Sequence, residues 1–140
     1  MPVGTMNPVI PGCGMHHISI QTRDWEASLH LYRDVLGMKL VATFGSSERP
    51  MVLLDVGDGS HVELFAPKTG STPVEGAVTG DLILHFALAT TDTHAAVDHV
   101  RQAGYEIISE PQTVELSGMQ VTYAFFRGPN GEEIEFFQNH

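Results

Sequence analysis

Alternating apolar and polar residues mark the first predicted strand, in which Ile18 and Ile20 share one face. A pattern typical of an amphipathic helix follows at once. We expect Asp24 to cap that helix at its start and Gly37 to end it. The apolar stripe expected on this helix consists of Leu29, Tyr32 and Leu36.

The same succession of patterns returns in the second half of the chain. The segment HISIQTRD at residues 17–24 matches HFALATTD at residues 85–92, an offset of 68 residues. Each copy carries an Asp seven residues after its His. We expect Asp92 to cap a second helix that ends before Gly104. The stripe predicted on this helix is Ala96, Val97 and Val100.

Each predicted helix is followed by one strand and then by a hairpin. The strands are expected at residues 38–43 and 105–110. The hairpins are expected at residues 51–65 and 123–137, where two apolar runs flank a turn rich in Gly, Asp and Asn. The chain is therefore predicted to have an α+β fold made of two tandem βαβββ modules.

The length of 140 residues is typical of a single domain. Within that domain we predict an irregular tail at residues 1–14 and modules at residues 15–66 and 81–138. A connector rich in Pro, Gly and Thr joins the modules at residues 67–80.

Two histidines and two glutamates stand at matching places in the modules. His17 and His85 begin the first strand of each module, on a face that carries small or polar neighbours. Glu63 and Glu135 lie between apolar residues on the last strands, offset by 72 residues. A buried carboxylate is costly without a partner, and two His–Glu pairs would satisfy each other around a cation. Each residue alone is more commonly a surface group, so the prediction depends on the symmetry. Strand alternation places His16 on the opposite face.

Composition narrows the classes of partner. The chain has 17 acidic and 7 basic residues and a formal net charge of −10. This balance argues against nucleic acid and anionic membranes as partners. The single cysteine, Cys13, allows no internal disulfide, and no apolar run approaches transmembrane length. With no signal peptide pattern at the start of the sequence, a cytoplasmic location is predicted.

The chain resembles the vicinal oxygen chelate superfamily, which includes glyoxalase I, extradiol dioxygenases, methylmalonyl-CoA epimerase and bleomycin-resistance proteins. The resemblance covers almost all of residues 15–138. It is carried by the segments HHISIQTRDWEASLHLYRDVLGMKL, GDGSHVELF, LHFALATTD and GPNGEEIEFF. It implies that the two modules curve into a half-open mixed β-barrel around a divalent metal, and that the protein is a homodimer.

The resemblance also implies a site and an activity of glyoxalase I type. Its metal ligands would be His17, Glu63, His85 and Glu135, holding one divalent ion of Ni, Zn, Co, Mn or Fe. The implied enzyme is a lyase or isomerase acting on a small vicinal-oxygen substrate, the hemithioacetal of a 2-oxoaldehyde. Proton transfer would pass through a metal-bound enediolate, with Glu135 as the leading base and Glu63 as its counterpart.

Other functions within the superfamily stay open at this stage. An Fe(II) extradiol dioxygenase would use His17, His85 and Glu135, and Glu63 counts against it. An epimerase, or a non-enzymatic protein that binds a drug or another small molecule, are further alternatives. Gln21 and Pro67 replace the Arg and Asn that typically hold glutathione, so glutathione as the thiol is in doubt.

Overall fold

The computed structural model describes residues 8–9, 15–67, 85–116 and 118–140. The chain divides into two compact units, residues 2–73 and residues 74–140. Each unit contains one four-stranded mixed sheet. Among the described residues, no helix is long and apolar enough to cross a membrane.

The first unit has the predicted βαβββ order. Its sheet has the strand order β1-β4-β3-β2, in which β1 runs parallel to β4 and the other neighbours are antiparallel. The elements are β1 (His17–Gln21), α1 (Trp25–Leu29), a π-helical continuation (His30–Val35), β2 (Lys39–Gly45), β3 (Pro50–Asp55) and β4 (His61–Phe65).

The first helix begins and ends as predicted, but its buried stripe differs. The Asp24 carboxylate accepts a hydrogen bond from the Ala27 N–H, and Gly37 has a φ of 71°. The Leu36 N–H donates to the Leu31 carbonyl oxygen, five residues earlier, so this turn is wider than an α-helical turn. Leu31 is therefore buried with Tyr32, whereas the predicted stripe residues Leu29 and Leu36 are half-buried.

The second unit repeats the order with a regular helix. The Asp92 carboxylate caps it by accepting from the Ala95 N–H at 2.9 Å, and Gly104 follows its end with a φ of 93°. Val97 and Val100 are buried as predicted, and Ala96 is half-buried. The elements are β5 (Phe86–Ala89), α2 (Thr93–Gln102), β6 (Ile107–Leu116), β7 (Met119–Arg127) and β8 (Glu133–Asn139), in the sheet order β5-β8-β7-β6.

Strands β6 and β7 extend beyond the predicted strand at residues 105–110 and the predicted start of the hairpin at residue 123. Strand β6 continues through Pro111 as far as Leu116, and β7 begins at Met119. Pro111 is tolerated because β6 is an edge strand and because its pairing with β7 shifts between Ser109 and Gln112.

Each sheet buries one face and leaves the other more open. In the first sheet the buried residues are Val52, Leu54, Val62 and Leu64, and in the second they include Val121, Ala124, Phe126 and Ile134. Burial of the Val, Leu, Ile and Phe side chains among them stabilises each sheet by about 1.5–3 kcal/mol per residue. The tandem βαβββ modules are thus confirmed. The predicted tail, with Cys13, and the connector lie outside the described residues, apart from residues 8, 9 and 67.

Candidate functional site

The open face of the first sheet carries polar side chains from two parallel strands in register. Ser19 of β1 pairs with Glu63 of β4. One step earlier His17 pairs with His61, and one step later Gln21 pairs with Phe65. Because alternate residues of a strand share a face, all of these side chains project on the same side of the sheet.

His17 and Glu63 form the first predicted pair. The His17 Nε2 lies 3.7 Å from the Glu63 Oε2. The same carboxylate oxygen accepts a hydrogen bond from the Ser19 hydroxyl at 2.6 Å. The repeat did not predict the Ser19–Glu63 hydrogen bond. Strand alternation does place Ser19 on the same face as His17, two residues earlier.

His85 and Glu135 form the second predicted pair, and its geometry is tighter. The His85 Nε2 lies 3.1 Å from the Glu135 Oε2, and Glu135 is 8% exposed. Burial raises the pKa of Glu135, and the neighbouring His85 partly offsets that rise. The Phe125 ring packs edge-on against the His85 ring at 5.0 Å between centroids, which restrains the orientation of the imidazole.

The two pairs are chemically similar but not identical. Ala87 occupies in the second module the place that Ser19 has in the first, since it pairs with Glu135 as Ser19 pairs with Glu63. Alanine has no hydroxyl to donate. One carboxylate is therefore held by a short hydrogen bond, and the other is buried beside its histidine.

The separation in the His85–Glu135 pair fits two ligands of one divalent ion, whereas that in the His17–Glu63 pair is slightly too long. Two donors about 2.1 Å from one ion, at right-angled to tetrahedral geometry, are roughly 3.0–3.4 Å apart. The observed separations are 3.1 and 3.7 Å. Across residues 15–67, 85–116 and 118–140, no three His, Cys, Asp or Glu side chains are grouped to hold a metal. Each pair by itself supplies two donors.

His16 does not behave as the strand pattern predicts. Its Nδ1 lies 2.8 Å from the Nδ1 of His17, and its ring is 5.1 Å from that of His61. The prediction that His16 points away from His17 is wrong, because β1 begins at His17 and pleat alternation does not constrain the residue before it. The contact leaves the His17 Nε2 facing Glu63.

Arg49 is a second residue that sequence reasoning missed. It precedes β3, yet its Nη2 donates to the Gln21 Oε1 at 3.0 Å. The guanidinium also lies over the Phe65 ring, 5.7 Å from its centroid. No sequence pattern predicts this contact between residues 28 positions apart, since it depends on the path of the turn after β2.

Comparison with known proteins gives consistent matches along the chain. The model of the Glyoxalase/Bleomycin resistance protein/Dioxygenase superfamily matches residues 14–136. The uncharacterised protein YwbC of Bacillus subtilis is 34% identical over 126 residues, which cover 87% of this chain and 94% of YwbC.

Two further matches are to proteins named lactoylglutathione lyase and glyoxalase I. A lactoylglutathione lyase of Haemophilus influenzae is 30% identical over 128 residues, covering 88% of this chain and 90% of that enzyme. A trypanothione-dependent glyoxalase I of Leishmania major has a TM-score of 0.70 at 24% identity, covering 91% of this chain and 87% of that one. The structural match shows the fold.

Proposed function

Because this chain belongs to the Glyoxalase/Bleomycin resistance protein/Dioxygenase superfamily, we propose that it is a divalent-metal-dependent lyase or isomerase of glyoxalase I type. Its substrate is the hemithioacetal of a 2-oxoaldehyde, a small molecule with two adjacent oxygens. The observation that carries this proposal is the His–Glu pair repeated in both modules, at 3.7 and 3.1 Å. The relatives named lactoylglutathione lyase, at about 30% identity, support the same reaction class.

His17, Glu63, His85 and Glu135 are the residues that would hold the metal. Two imidazoles and two carboxylates balance the charge of a divalent cation, and this mixed set suits Ni, Zn, Co, Mn and Fe alike. A cation there would polarise the substrate carbonyl and make the neighbouring C–H more acidic. The His17 Nε2 and the His85 Nε2 each face their carboxylate, as a shared ligand role requires.

Glu135 is the leading base in this proposal. It removes the proton from the carbon that bears sulfur and hydroxyl, and returns it to the adjacent carbonyl carbon, while the hydroxyl proton moves between the two oxygens. The product is a thioester of a 2-hydroxy acid, and no oxidant or reductant is consumed. Glu135 lies 3.1 Å from the His85 Nε2, and burial raises its pKa, so it holds a proton more readily than an exposed glutamate does. Glu63, which accepts from the Ser19 hydroxyl, serves as its counterpart.

The proposal is tested by following thioester formation from methylglyoxal mixed with glutathione or another thiol. We expect turnover that a chelator abolishes and a divalent metal restores. Glu135→Gln is expected to lower kcat by about 10²–10⁴-fold, the usual size of a general-base contribution. Metal content is measured in the same samples, so that loss of the ion is separated from loss of the base.

Two results would contradict the proposal. One is full turnover by Glu135→Gln with metal still bound. The other is oxygen uptake with a catechol and Fe(II), in the absence of thioester formation, which would assign the protein to the dioxygenases. Light scattering in solution tests the expected homodimer separately.

A further inference from the structure

Ser19 lies beside Glu63 because β1 and β4 run parallel in register. The residues on either side of Glu63, Val62 and Leu64, are buried, so the core of the first unit fixes the strand that carries the carboxylate. From this position the Ser19 hydroxyl donates to the Glu63 Oε2 at 2.6 Å. A short hydrogen bond from a hydroxyl to a charged oxygen is among the stronger ones in proteins. The Glu63 carboxylate is therefore held in one orientation before any ligand arrives.

The equivalent row of the second module has no such donor. Glu135 lies between Ala87 and Phe125 in its sheet, and neither of these side chains can donate a hydrogen bond. Within the part of the chain that the structure describes, the ionic partner of Glu135 is His85. The side chains of Glu135 and Glu63 are similarly buried, at 11% and 18% exposed. The hydroxyl is therefore the main polar difference between the two carboxylates.

A held carboxylate and an unheld one differ in what they can do. A carboxylate that is already oriented loses less conformational freedom when it binds a metal ion, and groups that hydrogen-bond to a metal ligand strengthen binding for this reason. A base that takes a proton from one carbon and returns it to the next must reach both carbons. A hydroxyl that donates to such a base would restrain it and would compete for its oxygen lone pairs.

We propose that Ser19 is a positioning residue that holds Glu63 as the fixed metal ligand, and that Ala87, which has no hydroxyl, leaves Glu135 mobile enough to act as the base. This inference rests on the proposed function and deepens it. It explains how two glutamates at equivalent places of a repeat take different tasks. Ser19 acts through Glu63 and not on the substrate.

The first measurement is the affinity of the metal-free protein for Ni²⁺ and for Zn²⁺, by competition with a chromophoric chelator. Ser19→Ala is expected to weaken binding about tenfold or more, the usual effect of removing a partner of a ligating group. Ser19→Thr keeps a hydroxyl and should retain most of the affinity. Ser109→Ala is the matched control, because it removes a strand hydroxyl that donates to the backbone carbonyl oxygen of Glu110. It should bind both ions as the wild type does.

The second measurement moves the hydroxyl to the other module. Ala87 is exposed, so Ala87→Ser has room for a hydroxyl beside Glu135. With methylglyoxal and glutathione or another thiol, Ala87→Ser should lower kcat about tenfold, as one hydrogen bond to a charged group allows, and excess metal should not restore it. Ser19→Ala should instead lose turnover that excess Ni²⁺ or Zn²⁺ restores. Hydroxyls that merely stabilised their sheets would not give this crossed pattern.

The inference is overturned if Ser19→Ala binds both ions as tightly as the wild type, or if Ala87→Ser retains full turnover. The Ala87→Ser result decides the matter if Ser19→Ala does not fold. If the wild type binds metal but converts no hemithioacetal, the proposed function fails, and the ratio of metal affinities still decides the role of Ser19. A wild type that binds neither ion overturns both.

Discussion

Glu63 and Glu135 occupy the same place in two similar modules, yet their surroundings differ at the level of single atoms. Glu63 accepts a hydrogen bond from the Ser19 hydroxyl at 2.6 Å. Glu135 is 8% exposed, and its neighbour in the strand register is Ala87, which has no hydroxyl. The hydrogen bond to Glu63 favours its charged form, whereas burial raises the pKa of Glu135. This difference supports the proposal that Glu135 is the leading base and Glu63 its counterpart. The matching positions of both glutamates and both histidines follow from the repeat, and their role as metal ligands stays a prediction.

The contacts around these four residues were less predictable. Ser19 could be inferred from strand alternation, but the hydrogen bond it donates depends on side-chain rotamers. Arg49 reaches Gln21 only because the turn after β2 brings it there. His16 stands just outside β1, where the alternation rule does not apply.

His16 is expected to orient His17. If His17 binds a metal through Nε2, its Nδ1–H can donate to the His16 Nδ1, 2.8 Å away. We expect His16→Ala to weaken metal affinity about tenfold or more, measured by competition with a chromophoric chelator. His16→Gln keeps an acceptor and should restore most of the affinity. Equal affinity in the wild type and both variants would contradict this role.

At the scale of elements, local chemistry predicted where helices begin and end more accurately than which residues they bury. The carboxylates of the two predicted caps, Asp24 and Asp92, each accept a hydrogen bond from a backbone N–H, as expected. The first helix was predicted with a regular period, and its π-helical turn moved Leu31 inward instead of Leu36. A pattern with a period of 3.6 residues assumes a regular α-helix, so it does not predict a wider turn of this kind.

The cap of α2 should stabilise the second unit measurably. The Asp92 carboxylate satisfies a backbone N–H at the start of the helix, so Asp92→Ala should lower the free energy of unfolding by about 1 kcal/mol. Asp98→Ala, on the exposed side of the same helix, is the matched control and should cost less. Chemical denaturation measures both. Equal losses would show that the cap is not the stabilising feature.

The turn between β3 and β4 should make the free energy of unfolding depend on pH in the acidic range. The hydroxyl and backbone N–H of Ser60 both donate to Asp58, which lowers the pKa of that carboxyl below its usual value. A group with a lowered folded pKa stabilises the protein above its unfolded pKa. That contribution is lost as the pH falls through the folded pKa.

The variant Asp58→Asn keeps an acceptor but not the charge, so it should be less stable than the wild type near pH 7. The difference should shrink below about pH 4. Chemical denaturation across that range measures the difference. Ser60→Ala is the companion variant and should lose part of the same dependence, because its backbone N–H still donates to Asp58. A difference that stays constant with pH would contradict the assignment.

At the scale of the whole molecule, the repeat is what links sequence, fold and proposed chemistry. Two βαβββ modules each deliver one histidine and one glutamate to the open face of a sheet. The internal repeat predicted this duplication, since a matched His, Asp, Gly, turn and Glu recur in the same order. The superfamily match over residues 14–136 agrees with it. The long β6–β7 hairpin, by contrast, arises from edge-strand pairing that no repeat predicts.

The central claim is that both pairs together bind one divalent metal. Anomalous diffraction from crystals of the purified protein, with elemental analysis of the same sample, tests it most directly. We predict a single strong anomalous peak coordinated by the His17 Nε2, the His85 Nε2 and carboxylate oxygens of Glu63 and Glu135, whether one chain or two supply the pairs. Protein that binds no divalent metal, or a peak held by His16 in place of His17, would contradict the account.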